Sequence, residues 1–164
     1  MSKVANTFVE QRARVLAMVQ FTTRADLQVD AISEDSGFDL LVRITSEGKV
    51  RQSVKAFGVV LKGTNRPLRG AEDADRLLQS GSSKKSDVVL TSYSFPVLML
   101  LFSMQNDNGY FAWRAEPIVT PSREPRLQVH ESYSFSTFDR AALGIIVDQV
   151  DEWYKTLFTL LDGN

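Results

Sequence analysis

The sequence predicts an α/β (α+β) fold, with a central mixed β-sheet flanked by helices and a long helix at the C-terminal end. Three observations carry that prediction. In residues 38–45, Phe38, Leu40, Val42 and Ile44 face one way and Asp39, Leu41 and Arg43 the other, the period of a strand covered on one side. Residues 97–102 are apolar without interruption, which suits a central strand covered on both faces. Both ends of the chain repeat apolar residues at helical spacing, and such amphipathic helices need a sheet to cover.

In chain order, a first helix is expected over residues 3–20, with Val4, Phe8, Val15 and Val19 as its apolar stripe. Arg12 interrupts the stripe, so it must either snorkel to solvent or pair with an acid. Strands follow at 27–32 and 38–45, then a turn at Ser46-Glu47-Gly48 and a third strand at 54–62 that should pair with the second. Residues 65–70 (Asn-Arg-Pro-Leu-Arg-Gly) break the pattern before a short helix at 71–78. Ser80-Gly81-Ser82-Ser83-Lys84-Lys85-Ser86 has the composition of a mobile loop. Pro96 opens the central strand, where its missing N–H does least harm. Asn106-Asp107-Asn108-Gly109 reads as a hairpin turn into a strand at 110–115. Pro117, Pro121 and Pro125 make the next link irregular, ahead of a strand at 127–135. The last helix is the clearest element. Leu143, Val147, Val150, Tyr154, Leu157 and Leu161 recur at spacings of four and three, and Ser136-x-x-Asp139 has the form of a capping box. Ile146 and Trp153 widen that face, and Trp113 and Trp153 are expected in the core.

A chain of 164 residues suits one domain, expected to span 1–164. The absence of cysteine excludes disulfides, thiolate metal sites and thiol nucleophiles. With His130 alone, a multi-histidine zinc site within one chain is excluded too, and His130 itself is expected to be a structural or surface residue. No phosphate-cradling glycine loop, dinucleotide fingerprint or Gly-x-Ser-x-Gly elbow occurs. The start is polar and the longest apolar run too short to span a bilayer, so no membrane partner and a cytoplasmic location are expected. The net charge of −1 hides a basic strip, Lys49, Arg51, Lys55, Lys62, Arg66 and Arg69, with no acid among them. Such a strip suits either nucleic-acid phosphates, through Lys55, Arg66 and Arg69 above all, or the solvated outer face of two strands.

One constellation carries chemistry: Glu10 in the first helix, Asp35-Ser36-Gly37-Phe38-Asp39 entering a strand, and Val60-Leu61-Lys62 ending the next. Carboxylates hold Mg²⁺ through hard oxygen ligands, and a lysine can stabilise charge developing on a phosphoryl group. Residues two apart share a strand face, so Val60 and Lys62 project together and Asp39 can meet them from the neighbouring strand.

These residues resemble the PD-(D/E)xK, or restriction-endonuclease-like, superfamily. They are most similar to a bacterial group with a helical glutamate, an Asp-x-Gly-x-Asp strand, a Gln-x-Lys strand, a Pro-Val-apolar strand and an aromatic hairpin. The matching residues here are Glu10, Asp35 with Gly37-Phe38-Asp39, Lys62, Phe95-Pro96-Val97-Leu98 and Tyr110-Phe111-Ala112-Trp113. The resemblance implies a restriction-endonuclease-like core, catalytic roles for Asp39, Lys62 and Glu10, and weak Mg²⁺ binding by Asp39 and Glu10. Two positions depart from it: Val60 stands where an acid or amide is usual, and Arg43 where another acid is common.

Three functions stay open at this level. One is Mg²⁺-dependent hydrolysis of DNA or RNA by a degenerate active site. The second is a nucleic-acid-binding protein on the same scaffold without catalysis, which Val60 and Arg43 favour. The third is a protein-interaction module (an inhibitor, regulator or immunity protein) or a homodimer that docks through the C-terminal helix.

Overall fold

The computed structural model describes residues 3–32, 36–45, 54–80 and 93–163. Their elements run α1 (Lys3–Phe21), β1 (Leu27–Ala31), β2 (Leu40–Ile44), β3 (Lys55–Thr64), α2 (Ala71–Ser80), β4 (Val97–Ser103), β5 (Gly109–Val119), β6 (Pro125–Val129), β7 (Ser136–Thr137) and α3 (Arg140–Asp162). One mixed sheet of seven strands has the order β1-β2-β3-β4-β5-β6, and β7 pairs with the start of β5. Strands β1, β2 and β3 form an antiparallel meander. The crossover through α2 makes β3 and β4 parallel, and β4, β5 and β6 are antiparallel again. The expected pairing of the second and third strands is present, from Leu40↔Val59 to Ile44↔Lys55. The turn at Ser46-Glu47-Gly48, most of the serine-rich loop, Asp35, Lys49 and Arg51 lie outside the described residues. No helix among the described residues is long and apolar enough to cross a membrane.

Side-chain alternation divides the interior into two clusters. Leu40, Val42, Phe57, Val59, Leu98 and Leu100 meet α1 and α3 on one face of the sheet. Met99, Leu101, Tyr110 and Ala112 meet Leu68, Ala74 of α2 and Phe135 on the other. Strand β4 is buried at every position, as its uninterrupted apolar sequence requires. Each large side chain so buried contributes about 1.5–3 kcal/mol.

Helix α1 turns a different face inward than its bulky residues suggest. Its buried residues are Val9, Ala13, Ala17 and Phe21, while Val15 and Val19 are each 59% exposed and Phe8 is exposed as well. The cause is close approach. A Cβ on Gly63 of β3 would lie 2.5 Å from Val9 Cγ1 and 3.2 Å from the Val9 carbonyl oxygen. The missing side chain of Gly63 leaves room for Val9, and the next two inward positions of the helix are the small residues Ala13 and Ala17. Arg12 pairs with an acid, a bidentate contact to Asp107 at 2.7 Å.

The prolines fall inside the β5–β6 hairpin instead of loosening it. The Thr120 N–H donates to the Glu124 carbonyl, and the His130 N–H to that of Arg114. Pro117 and Pro125 therefore take the alternate positions, where a ladder needs no N–H toward the partner strand. Strand β6 ends at Val129, short of residue 135, because Phe135 leaves the sheet to fill the α2-side cluster. The cap of α3 is Asp139, whose carboxylate accepts the Ala142 N–H at 2.8 Å, whereas Ser136 belongs to β7. The predicted face of α3 is buried through Tyr154, and Leu161 at its end is exposed. Trp153 is buried and donates its indole N–H to the Arg126 carbonyl at 2.9 Å, and Trp113 packs on the same cluster.

Candidate functional site

Strand β3 outruns its neighbour. Because β2 begins at Leu40, opposite Val59, residues 60–64 of β3 have, among the described residues, a paired strand on the β4 side only. Asp39 fills the first gap. Its N–H donates to the Val59 carbonyl at 2.8 Å, and its Oδ2 accepts the Leu61 N–H at 2.7 Å. Helix α1 comes in close at Gly63. Between them lies a cleft of about 370 Å³, and Glu10, Arg14, Phe38, Asp39, Val60 and Lys62 stand in its wall.

The structure thus brings Glu10, Asp39 and Lys62 to one place. By strand alternation Val60 and Lys62 share a face, and they pair with Met99 and Leu101 of the α2-side cluster. Val60 rests on that cluster, while Lys62 is exposed. Arg43 shares a strand face with Asp39 but is not in the cleft wall, and it pairs with Asp30 of β1. Magnesium asks for near-octahedral oxygen coordination. Here Val60 supplies no oxygen, and one oxygen of Asp39 already holds the Leu61 N–H. Among the described residues, no group of three or more Asp, Glu or His side chains is placed to hold a metal ion. Glu10 and Asp39 are the carboxylates in the cleft wall, and Mg²⁺ held by one or two carboxylates fills its remaining positions with water or phosphate.

The basic residues separate into two sets. Lys55 begins β3, roughly 23 Å along the strand from Lys62 at about 3.3 Å per residue, and pairs with Asp151 of α3 at 2.6 Å. Burial acts to raise the Asp151 pKa, but the hydrogen bonds from Lys155 and Lys55 outweigh it and leave the carboxyl below its ordinary value. Arg66 and Arg69 lie instead on the segment that leaves β3 beyond the cleft, and that segment is anchored. The buried Ser103 hydroxyl donates to the Arg66 carbonyl at 2.8 Å, and the buried Tyr110 hydroxyl to the Leu68 carbonyl at 3.2 Å. The Arg69 N–H donates to Asp73 of α2 at 2.9 Å.

Among the described residues, the guanidinium or ammonium groups of Arg14, Lys62, Arg66, Arg69 and Arg140 meet no acid, whereas those of Arg12, Arg24, Arg43, Lys55, Arg76, Arg123, Arg126 and Lys155 do. Four of the five line the cleft or follow it along the chain. Arg140 opens α3 just after Phe138, whose N–H bonds Gly109 at the start of β5, so it too lies at this end of the sheet.

Arg14 and Phe38 also stand in the cleft wall. Arg14 stands one helical turn after Glu10, a spacing that puts both on one face of α1. Phe38 was placed with Leu40 and Val42, yet it precedes β2 and its ring lies over Gly58, on the opposite face. His130 is structural in its contacts, with Nε2 at 2.7 Å from Glu116. No family model matches the chain, and no curated protein or solved structure matches it either.

Proposed function

We propose that this domain binds nucleic acid through its sugar–phosphate backbone, on a nuclease-like scaffold that does not cleave what it binds. The observation that carries this reading is the collection of cations at one end of the sheet that meet no acid among the described residues, around the cleft that holds Glu10, Asp39 and Lys62. A cation left without an acid on a protein of net charge −1 is free to exchange its counterions for phosphates. The backbone of the segment that carries Arg66 and Arg69 is anchored to the sheet through the Arg66 and Leu68 carbonyls. Val60 supports the non-catalytic form, since it replaces an oxygen ligand with a side chain that packs on the core.

A second reading, slow Mg²⁺-dependent phosphodiester hydrolysis, is favoured by the meeting of Glu10, Asp39 and Lys62 in one cleft. One experiment separates them. Fluorescence anisotropy of labelled DNA and RNA over a salt series should show binding that weakens steeply with salt, and incubation with Mg²⁺ or Mn²⁺ should leave the strands intact. Metal-dependent cleavage that Asp39→Ala abolishes would select the hydrolase. Absence of any salt-sensitive binding would remove the nucleic-acid reading.

A further inference from the structure

Phe38 and Phe95 form an aromatic pair with ring centroids 5.2 Å apart, and neither belongs to the two apolar clusters that make the core. Both are half-buried. Gly37, at φ 84°, takes the left-handed conformation that glycine adopts without strain, and the chain then turns into Phe38 and β2. The Phe38 ring lies against bare backbone, because a Cβ on Gly58 would stand only 2.9 Å from its Cδ1. One side of the ring is thus fixed by Gly58 and Phe95, and the residue also stands in the wall of the cleft beside Asp39. Arg14 and Lys62, which meet no acid among the described residues, stand in the same wall.

A rigid aromatic surface beside unpaired cations is the combination by which proteins hold single strands, where bases stack and phosphates meet positive charge. In a duplex the bases already stack on one another, and each must be flipped out before a side chain can reach its face. We infer that the cleft accepts one unpaired nucleobase stacked on Phe38, with its flanking phosphates on Arg14 and Lys62, and hence that the ligand is single-stranded. This rests on the nucleic-acid reading above and narrows it. The cleft volume of about 370 Å³ is that of a pocket for a nucleotide-sized group.

The test uses the full chain and three fluorescein-labelled probes, each about 15 units long to exceed a single binding site: oligothymidylate, oligouridylate and a DNA duplex. Single strands should bind more tightly than the duplex. Phe38→Leu keeps an apolar contact with Gly58 but removes the platform. It should weaken single-strand binding about 5- to 150-fold, the loss of one stacked base, and leave duplex binding unchanged. Phe38→Trp should restore it. Phe38 dependence on either strand supports the inference, and the tighter strand names the sugar. If Phe38→Leu does not fold, Phe38→Trp carries the test alone. Its added indole emission should quench on single-strand addition, while Trp113 and Trp153 lie outside the cleft wall. Unchanged emission, or equal losses on strand and duplex, overturns the stacking site. Salt-sensitive binding indifferent to strandedness and to Phe38 overturns this inference alone. Failure of the wild type to bind any of the probes overturns it together with the reading beneath it.

Discussion

The carboxylate of Asp39 accepts the backbone N–H of Leu61 at 2.7 Å, so a side chain completes a ladder that β2 is too short to complete with its own backbone. This gives Asp39 a role in stability that needs no metal. Asp39→Asn keeps an acceptor and should stay within about 1 kcal/mol of wild type, whereas Asp39→Ala strands a half-buried N–H and should lose about 1–3 kcal/mol. Urea denaturation of the two variants checks this. Equal midpoints would mean that the bond contributes nothing.

Position 60 tests how far the cleft is from a metal site. Val60→Glu places a carboxylate on the face shared with Lys62, next to Asp39, at the expense of a contact with the α2-side cluster. The variant should be destabilised by roughly 1–3 kcal/mol without metal, and Mn²⁺ should raise its melting temperature but not that of wild type. The rise should vanish in Val60→Glu combined with Asp39→Asn. A folded Val60→Glu protein whose melting temperature ignores Mn²⁺ would show that the two positions do not share a site.

The two sets of basic residues should separate in a salt titration. Arg66→Ala with Arg69→Ala should lower the slope of log affinity against log salt by roughly one to two units. Both side chains are exposed, so stability should move by no more than about 0.5 kcal/mol. Lys55→Ala should leave the slope unchanged and instead lower stability by about 1 kcal/mol, because its partner is Asp151. A slope that falls with Lys55→Ala would place nucleic acid along the whole of β3.

Acid should weaken the ion pairs of Asp26 and Asp151 at the end of the sheet away from the cleft. The Arg24 hydrogen bond, against some opposing burial, holds the Asp26 carboxyl below its ordinary value, and Asp151 is lowered by its two lysines despite burial. Each folded value lies below the unfolded one. The stabilisation is therefore fully present above about pH 4 and is lost as pH falls through the folded values. Asp26→Asn should flatten the acid limb of a plot of urea midpoint against pH. The change should be only a few tenths of a kcal/mol, since the pair is about a third exposed and screened. An unchanged acid limb would assign the loss elsewhere.

The sheet was legible because strand alternation and apolar continuity are direct consequences of burial, as β2 and β4 illustrate. Asp39 and Lys62 can be brought together from strand alternation on neighbouring strands, whereas Glu10, on a helix, comes with them only through the family resemblance. What was hidden depended on distances between elements. Nothing in α1 announces that Ala13 and Ala17, not Phe8 and Val15, face the sheet. The helix comes close to the sheet at Gly63, where Val9 fills the place of the missing side chain, fifty residues away in sequence from Ala13. Phe38 was concealed in the same way by Gly58, which lets the ring cross to the other face. The reach of β6 was overstated because Phe135 is apolar for a different layer.

The one-sided stretch of β3 has a meaning for the protein in a crowded solution. A strand with an unpaired flank invites a strand from another molecule, and proteins obstruct such flanks with charge or with covering segments. Here Asp39 occupies the Leu61 N–H, α1 lies across Gly63, and Lys62 puts a cation within the exposed part of the strand. The groups that form the cleft are therefore also its defence against self-association. Removing Asp39 and Lys62 together would leave an adhesive edge, and the protein would meet its own copies there before it met any ligand.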